Sequence, residues 1–234
     1  MLAFPRLGAP REIVDGDQAA SMFYQIAACL RSPMFDALIR PYIDAPLSAV
    51  GRRLARLGAD PDAVTLIGFA AGVAAAGAIA TGQFAIAVLM VGLNRLLDGL
   101  DGAVARARGK TDRGGFLDIT LDFAFYGLIP LAFAVLDPAT NALPAAAVLA
   151  SFYVNGAGFL AFAVLAQKRG LETKAQGEKS LFYIAGLAEG TETVLVFLAW
   201  CLFPAWFAPL AYGFAALTGI SAVARIVAGA KALR

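Results

Sequence analysis

The segment "DGLDGAVARARGKTDRGGFLDITLD", Asp98 to Asp122, places four aspartates, Asp98, Asp101, Asp118 and Asp122, at the edges of two strongly apolar stretches, with a fifth, Asp112, between them. The surrounding chain makes that charge unusual. Of its 234 residues, 60% are hydrophobic and only 15% charged, and the mean hydropathy is +0.72. Soluble domains carry about a quarter charged residues. The composition is that of an integral membrane protein, and long apolar runs of this kind cross a bilayer as helices. The fold class expected is all-α.

Six segments have the roughly 17–25 mostly apolar residues that a crossing requires: near 62–81, 83–106, 115–136, 143–166, 180–202 and 206–229. The basic residues set their orientation. Arg6, Arg11, Arg31, Arg40, Arg52, Arg53 and Arg56 precede the first span. Arg106, Arg108, Lys110 and Arg113 lie at the second connection, and Lys168, Arg169, Lys174 and Lys179 at the fourth. Lys231 and Arg234 end the chain, while Arg95 and Arg225 fall inside spans. The other three connections have no basic residue, so both termini and the two basic loops are expected in the cytoplasm. The start, "MLAFPRLGAPREIVDGDQ", is not expected to act as a signal peptide. The basic loops read as topology signals and lipid-headgroup contacts. No clustered aromatic–basic surface points to nucleic acid.

An N-terminal cytoplasmic and interfacial segment, 1–58, precedes a transmembrane domain, 59–234. In residues 33–57, Pro41 and Pro46 are expected to break the chain into pieces. "LSAVGRRLARL" puts Leu47, Val50, Leu54 and Leu57 on one helical face, largely apart from Arg52, Arg53 and Arg56. That is the pattern of an amphipathic helix lying in the membrane interface. "GADPDAVT" then supplies a helix start, with Asp60 as N-cap and Pro61 at the first helical position.

Residue types narrow the chemistry. There is no histidine, which excludes histidine triads and histidine-ligated zinc or iron. A general base must be a carboxylate, lysine, tyrosine or cysteine. Cys29 and Cys201 are far apart and form neither a disulfide framework nor a cysteine metal site. A metal site here would be all-oxygen, which favours magnesium, calcium or manganese.

Spacing places the acidic residues together. Asp98, Asp101, Gly102 and Ala105 fall on one face of the second span, and Asn94 extends that face one turn deeper. Asp118 and Asp122 share a face of the third. A short connection is expected to make these two helices antiparallel neighbours, so the four carboxylates can converge. One aspartate at a helix centre costs about 2.5–3.5 kcal/mol, and four cost roughly 10–14 kcal/mol by addition. Protonation or cation binding must offset that cost and the mutual repulsion. One or two Mg²⁺ ions would do so and leave positions for phosphate oxygens. A lone aspartate near a helix end is ordinarily a cap or a solvated charge, and Asp112 is read that way. Four on two stripes are not. Gly102 and Ala105 leave room beside the backbone, and Gly114 and Gly115 allow a tight entry into the third span.

These residues carry a resemblance. The segment is similar to the CDP-alcohol phosphatidyltransferase signature, D-x-x-D-G-x-x-A-R, a spacer, then G-x-x-x-D-x-x-x-D. Asp98, Asp101, Gly102, Ala105, Arg106, Gly114, Asp118 and Asp122 match its fixed positions. Thr65 resembles the threonine that the family carries early in its first span. The resemblance implies an integral membrane bundle of six transmembrane helices behind an N-terminal interfacial helix. It implies transfer of a phosphatidyl or related group from a CDP-linked lipid to an alcohol, with release of CMP. Asp98, Asp101 and Asp118 would be the main metal ligands, and Asp122 a shared ligand or the general base. Gly102 and Ala105 would make room for the cytidine, with Thr65 and Arg106 near the nucleotide. The cofactor would be Mg²⁺ or Mn²⁺, two ions in all. Family members are commonly homodimers. The setting expected is a bacterial inner membrane with a cytoplasm-facing site.

Other polar residues inside spans admit two readings. Glu189, Glu192 and Thr193 either recognise the acceptor or bond to neighbouring helices, with Arg225 or Arg95 as partner. Arg169 and Lys179, with Lys168 and Lys174, either bind a phosphorylated acceptor or only signal topology. No basic residue inside a span marks a pocket for an acceptor phosphate, which disfavours phosphorylated acceptors. Arg95, one turn before Asp98, can pair with an aspartate. Trp200, Trp206 and Tyr212 read as interface anchors. Two rival functions remain: a transporter using intramembrane carboxylates, which would show repeats and broken helices, and an inactive homologue serving as a partner protein.

Overall fold

A computed structural model describes residues 35–169 and 190–233, and residues Phe35–Arg234 form one compact unit. Among the described residues there is no strand. The helices are α1 (Phe35–Arg56), α2 (Pro61–Ala80), α3 (Phe84–Arg108), α4 (Asp112–Leu136), α5 (Pro138–Lys168), α6 (Gly190–Leu202) and α7 (Phe207–Ala232), with a 3₁₀ turn at Pro204–Trp206.

The local signal expected at the start of α2 acts there, and α4 has a cap that the sequence reading did not single out. Asp60 caps α2 by accepting from the Asp62 amide at 3.3 Å, with Pro61 in the first turn. Thr111 caps α4 by accepting from the Gly114 amide at 3.0 Å. The three-residue turn into α4 passes through Gly109 at φ 102°, a left-handed conformation that glycine adopts without strain.

Four stretches are long and apolar enough to cross a membrane: α2, α4, α5 and Pro204–Ala232. Helix α3 has the length, about 37 Å for its 25 residues, but Arg95, Asp98, Asp101, Arg106 and Arg108 keep it out of that set. Helix α6 is described from Gly190, and the first half of the span expected at 180–202 lies outside the described residues.

Three expectations need correction. Helix α1 runs unbroken through Pro41 and Pro46. Each proline deletes one amide donor, but the flanking turns keep theirs, and docking against α3 supports the helix. That contact is close: a Cβ on Gly51 would lie 2.5 Å from the Ala103 Cβ, and one on Gly99 would lie 3.2 Å from Leu47. Val50 and Leu57 stay exposed, while Leu47 and Leu54 are half-buried.

Second, Trp200 is no interface anchor. It is fully buried among Phe133, Phe197, Phe207 and Phe214 with ring centroids 5.0–6.1 Å away. Together with Phe125 and Ile129 these rings form the main core. Such a cluster takes up an indole's area as well as an interface does. Trp206 and Tyr212 are exposed, as anchors should be.

Third, α3 and α4 are not close backbone neighbours. Each packs extensively on α2, whereas their own backbones scarcely approach one another and they meet through side chains such as Phe84 on Phe133 and Arg95 on Asp122. The cause is a small-residue face on α2, where Gly68, Ala71, Gly72, Ala75 and Ala76 are buried. Small side chains let helix backbones come close in a membrane. A Cβ on Gly68 would sit 3.1 Å from the Leu97 Cβ of α3. One on Gly72 would sit 2.6 Å from Phe125 of α4 and 3.2 Å from Asn94 of α3. Helix α2 is therefore a wedge between the two acidic helices, and a cleft opens between them.

Candidate active site

That cleft is lined by Thr65, Gly68 and Phe69 from α2, by Asn94, Arg95, Asp98 and Asp101 from α3, and by Leu121 and Asp122 from α4. The acidic stripes meet across the gap although the two helix backbones stay apart. Asp98, Asp118 and Asp122 each present a carboxylate oxygen, and these atoms lie within 4.8 Å of one another. Asp118 is exposed at the rim, and Asp98 and Asp122 are half-buried. Asp101 is only 4% exposed, and its Oδ2 has no hydrogen-bond partner among the described residues. The Thr65 hydroxyl lies beside the Asp101 carboxylate and donates to the Pro61 carbonyl at 3.0 Å.

A divalent cation fits this donor set. The oxygens are hard, anionic and close enough to share one ion, and no nitrogen or sulfur competes. The orphaned Asp101 oxygen, buried beside them, is a further donor whose burial is otherwise costly.

Arg95 is the basic member of the cleft. Its Nη2 donates to Asp122 Oδ1 at 2.8 Å, and its Nη1 stands 3.7 Å from Asp98 Oδ2. Nη1 also donates to the Tyr126 hydroxyl at 3.3 Å, and Nε donates to Asn94 Oδ1 at 2.8 Å. The guanidinium carbon lies 4.6 Å from the Phe125 ring centre and 5.4 Å from that of Tyr126. Asn94 is held in turn, with its Nδ2 donating to the Gly68 carbonyl at 2.8 Å. The spacing of Arg95 to Asp98 foretold the ion pair. The parts of Phe125 and Tyr126 were missed, although they follow Asp122 at the i+3 and i+4 positions of one face.

The remaining expected site residues divide. Thr65 lines the cleft. Gly102 and Ala105 are half-buried one turn beyond Asp98 and Asp101. A Cβ on Gly102 would meet only the far end of Arg106, at 3.4 Å. Gly114 makes the tight entry, since a Cβ there would be 3.1 Å from Asp62 Oδ1, whereas Gly115 faces open space. Asp112 is the first residue of α4 and is exposed, where a negative charge suits a helix N-terminus. Glu189 and Lys179 lie outside the described residues. Glu192 and Arg169 do not line the cleft. Arg169 donates to the Leu233 carbonyl and so ties the end of α5 to the end of α7. Arg225 lies over the Phe159 ring at 5.5 Å.

The chain belongs to the CDP-alcohol phosphatidyltransferase family, whose profile matches residues 59–228. It is 46% identical over 201 residues to the inner membrane protein YnjF of Escherichia coli, covering 86% of this chain and 98% of that one. It is 41% identical over 85 residues to the archaetidylinositol phosphate synthase of Pyrococcus horikoshii, covering 36% of this chain and 45% of that one. Among solved structures, it resembles Mycobacterium tuberculosis phosphatidylinositol phosphate synthase with CDP-DAG bound, at TM-score 0.53 and 25% identity over 79% of this chain and 90% of that one. The same enzyme in complex with manganese and citrate aligns equally well, over 86% of its chain. The protein is a CDP-alcohol phosphatidyltransferase of phospholipid biosynthesis.

Proposed function

We propose that the protein transfers a phosphatidyl group from CDP-diacylglycerol, or a closely related CDP-linked lipid, to the hydroxyl of an alcohol and releases CMP. The observation that carries this reading is the convergence of the Asp98, Asp118 and Asp122 oxygens within 4.8 Å in a cleft that also holds Asp101 and Thr65.

Asp98, Asp101, Asp118 and Asp122 hold two divalent ions, Mg²⁺ or Mn²⁺. When bound, the ions neutralise charge on the diphosphate oxygens and polarise phosphorus toward attack. The chain's own residues do the rest. Thr65 and Arg106 contact the nucleotide, and the bare faces of Gly102 and Ala105 leave room for the cytosine ring. Asp122 takes the acceptor proton. Its Oδ1 is engaged by Arg95, which leaves Oδ2 for that proton. The acceptor oxygen then bonds to the lipid-bearing phosphorus, and the bond from that phosphorus to the CMP oxygen breaks. The open cleft suits a donor whose nucleotide comes from water and whose acyl chains stay in lipid.

The chain crosses the membrane six times, α3 and the span ending in α6 completing the set, and α1 lies along the interface with Val50 and Leu57 toward lipid. The termini, the basic loops and the site face the cytoplasm, and the protein acts as a homodimer. Against the sequence reading, which disfavoured phosphorylated acceptors, an inositol phosphate heads the list of acceptors, because the similar proteins are synthases of archaetidylinositol phosphate and phosphatidylinositol phosphate.

The test is incubation of purified protein with CDP-diacylglycerol, Mg²⁺ and a panel of alcohols that includes inositol, inositol phosphate, glycerol phosphate and serine. CMP is followed by chromatography and the lipid products by mass spectrometry. Metal-dependent CMP release with one new lipid is expected. A folded, inserted protein that releases no CMP with any of them is an inactive homologue.

A further inference from the structure

Arg95 is more heavily constrained than a stray intramembrane charge needs to be. It bonds both acidic helices, reaching Asp98 one turn along α3 and Asp122 across the gap on α4. Its ring contacts and its bonds to Asn94 and Tyr126 fix the guanidinium from the sides. Among the described residues, no other residue lining the cleft is basic. The two oxygens it engages, Asp122 Oδ1 and Asp98 Oδ2, belong to two of the three carboxylates that close on a common point.

We propose that Arg95 is a tethered counter-ion that shares Asp98 and Asp122 with the divalent metal and sets how tightly the metal binds. The proposal rests on reading the acidic cluster as the metal site. In the metal-free protein the guanidinium screens carboxylates that would otherwise repel across the cleft. When metal binds, the same fixed positive charge opposes it and draws electron density from two of its ligands. Repulsion between a fixed unit charge and a divalent ion a few ångströms apart is strong where water is scarce. Arg95 therefore holds the site together without metal and weakens its grip on metal. It is a positioning residue, since it acts through the two aspartates.

The test is Mn²⁺ titration, by calorimetry and by electron paramagnetic resonance, on purified protein in lipid nanodiscs without substrate. Arg95→Gln removes the charge at similar length. Arg95→Leu does so while packing on Phe125 and Tyr126, and it stands in should the glutamine variant fold poorly. Arg95→Lys keeps the charge. The neutral variants are expected to bind Mn²⁺ about tenfold tighter than the parent, with the lysine variant near the parent value. Melting in EDTA should fall for the neutral variants, and Mn²⁺ should recover more of it than in the parent. A merely structural role would lower melting and leave Mn²⁺ affinity unchanged, and that result overturns the proposal. Weaker Mn²⁺ binding in the neutral variants overturns it as well, by making Arg95 an orienter of ligands. Failure of the metal reading looks different: the parent binds no Mn²⁺, or Asp118→Asn binds it as well as the parent, and the proposal falls with it.

Discussion

Gly72→Ala tests whether α2 sets the spacing of the two acidic helices. A Cβ there would lie 2.6 Å from Phe125 Cδ2 and 3.2 Å from Asn94 Nδ2. Ordinary carbon contacts begin near about 3.5 Å, so the ring must retreat by about 1 Å. Phe125 is fully buried in the main core. Overpacking of this kind costs about 1–3 kcal/mol, while alanine in place of glycine returns up to about 1 kcal/mol of helix propensity. Gly77, on the same helix with nothing within 4 Å of its Cβ position, is the matched control. Gly77→Ala receives the propensity gain alone, so the difference between the two variants isolates packing at about 1–3 kcal/mol. For a chain of this size that is about 2–12 °C in melting temperature. Turnover should separate further, because the Phe125 face supports Arg95 at 4.6 Å, and Arg95 holds Asp122. A shift of about 1 Å at reacting groups costs on the order of 100-fold in rate. The assay is thermal unfolding in one detergent with Mg²⁺ present, alongside CMP release. Phe125→Leu in the Gly72→Ala background shortens the clashing side chain and should restore much of the loss. Equal melting and equal turnover for Gly72→Ala and Gly77→Ala would refute the wedge.

Three further outcomes follow from the same geometry. Asp122→Asn is expected to lower CMP release by about 10²–10⁴-fold, the range for loss of a general base, while circular dichroism shows the helices intact; near-normal turnover removes Asp122 from proton transfer. Thorough chelation with EDTA should stop CMP release, and Mg²⁺ or Mn²⁺ should restore it; undiminished turnover without metal defeats the metal assignment. Trp200→Ala should cost about 3–5 kcal/mol, the usual range for an aromatic removed from a core, and melting should report it; a small change would return Trp200 to the surface role first expected of it.

The candidate site residues were legible because their signals are local. Four aspartates on two helical stripes and the cap at Asp60 depend on spacing along the chain, Thr65 was marked by the family resemblance, and the cap at Thr111 was missed. The packing partners were not legible, because they depend on which faces meet. A short connection suggested that α3 and α4 lie side by side, but the small face of α2 offers each of their backbones a closer approach. Trp200 followed the same logic: an indole near a helix end suits either an interface or a core, and only Phe133, Phe197 and Phe207 decide between them. For α1, the two prolines weighed more in the sequence than the unseen support from α3.

The spacing by α2 also changes the energetic argument about the aspartates. Simple addition of roughly 10–14 kcal/mol assumed four charges deep in hydrocarbon. In the fold they are graded: Asp118 is exposed, Asp98 and Asp122 are half-buried, and only Asp101 is nearly sealed. Close backbone packing between α3 and α4 would have driven the carboxylates together in a dry seam, where repulsion is greatest. A cleft lets water share the load, and Arg95 supplies one positive charge from within the chain. The cations inferred from the sequence are thus not needed merely to let the protein fold. What still calls for them is the arrangement left over: oxygens from two separate helices converging within 4.8 Å, and a buried Asp101 oxygen with no described partner.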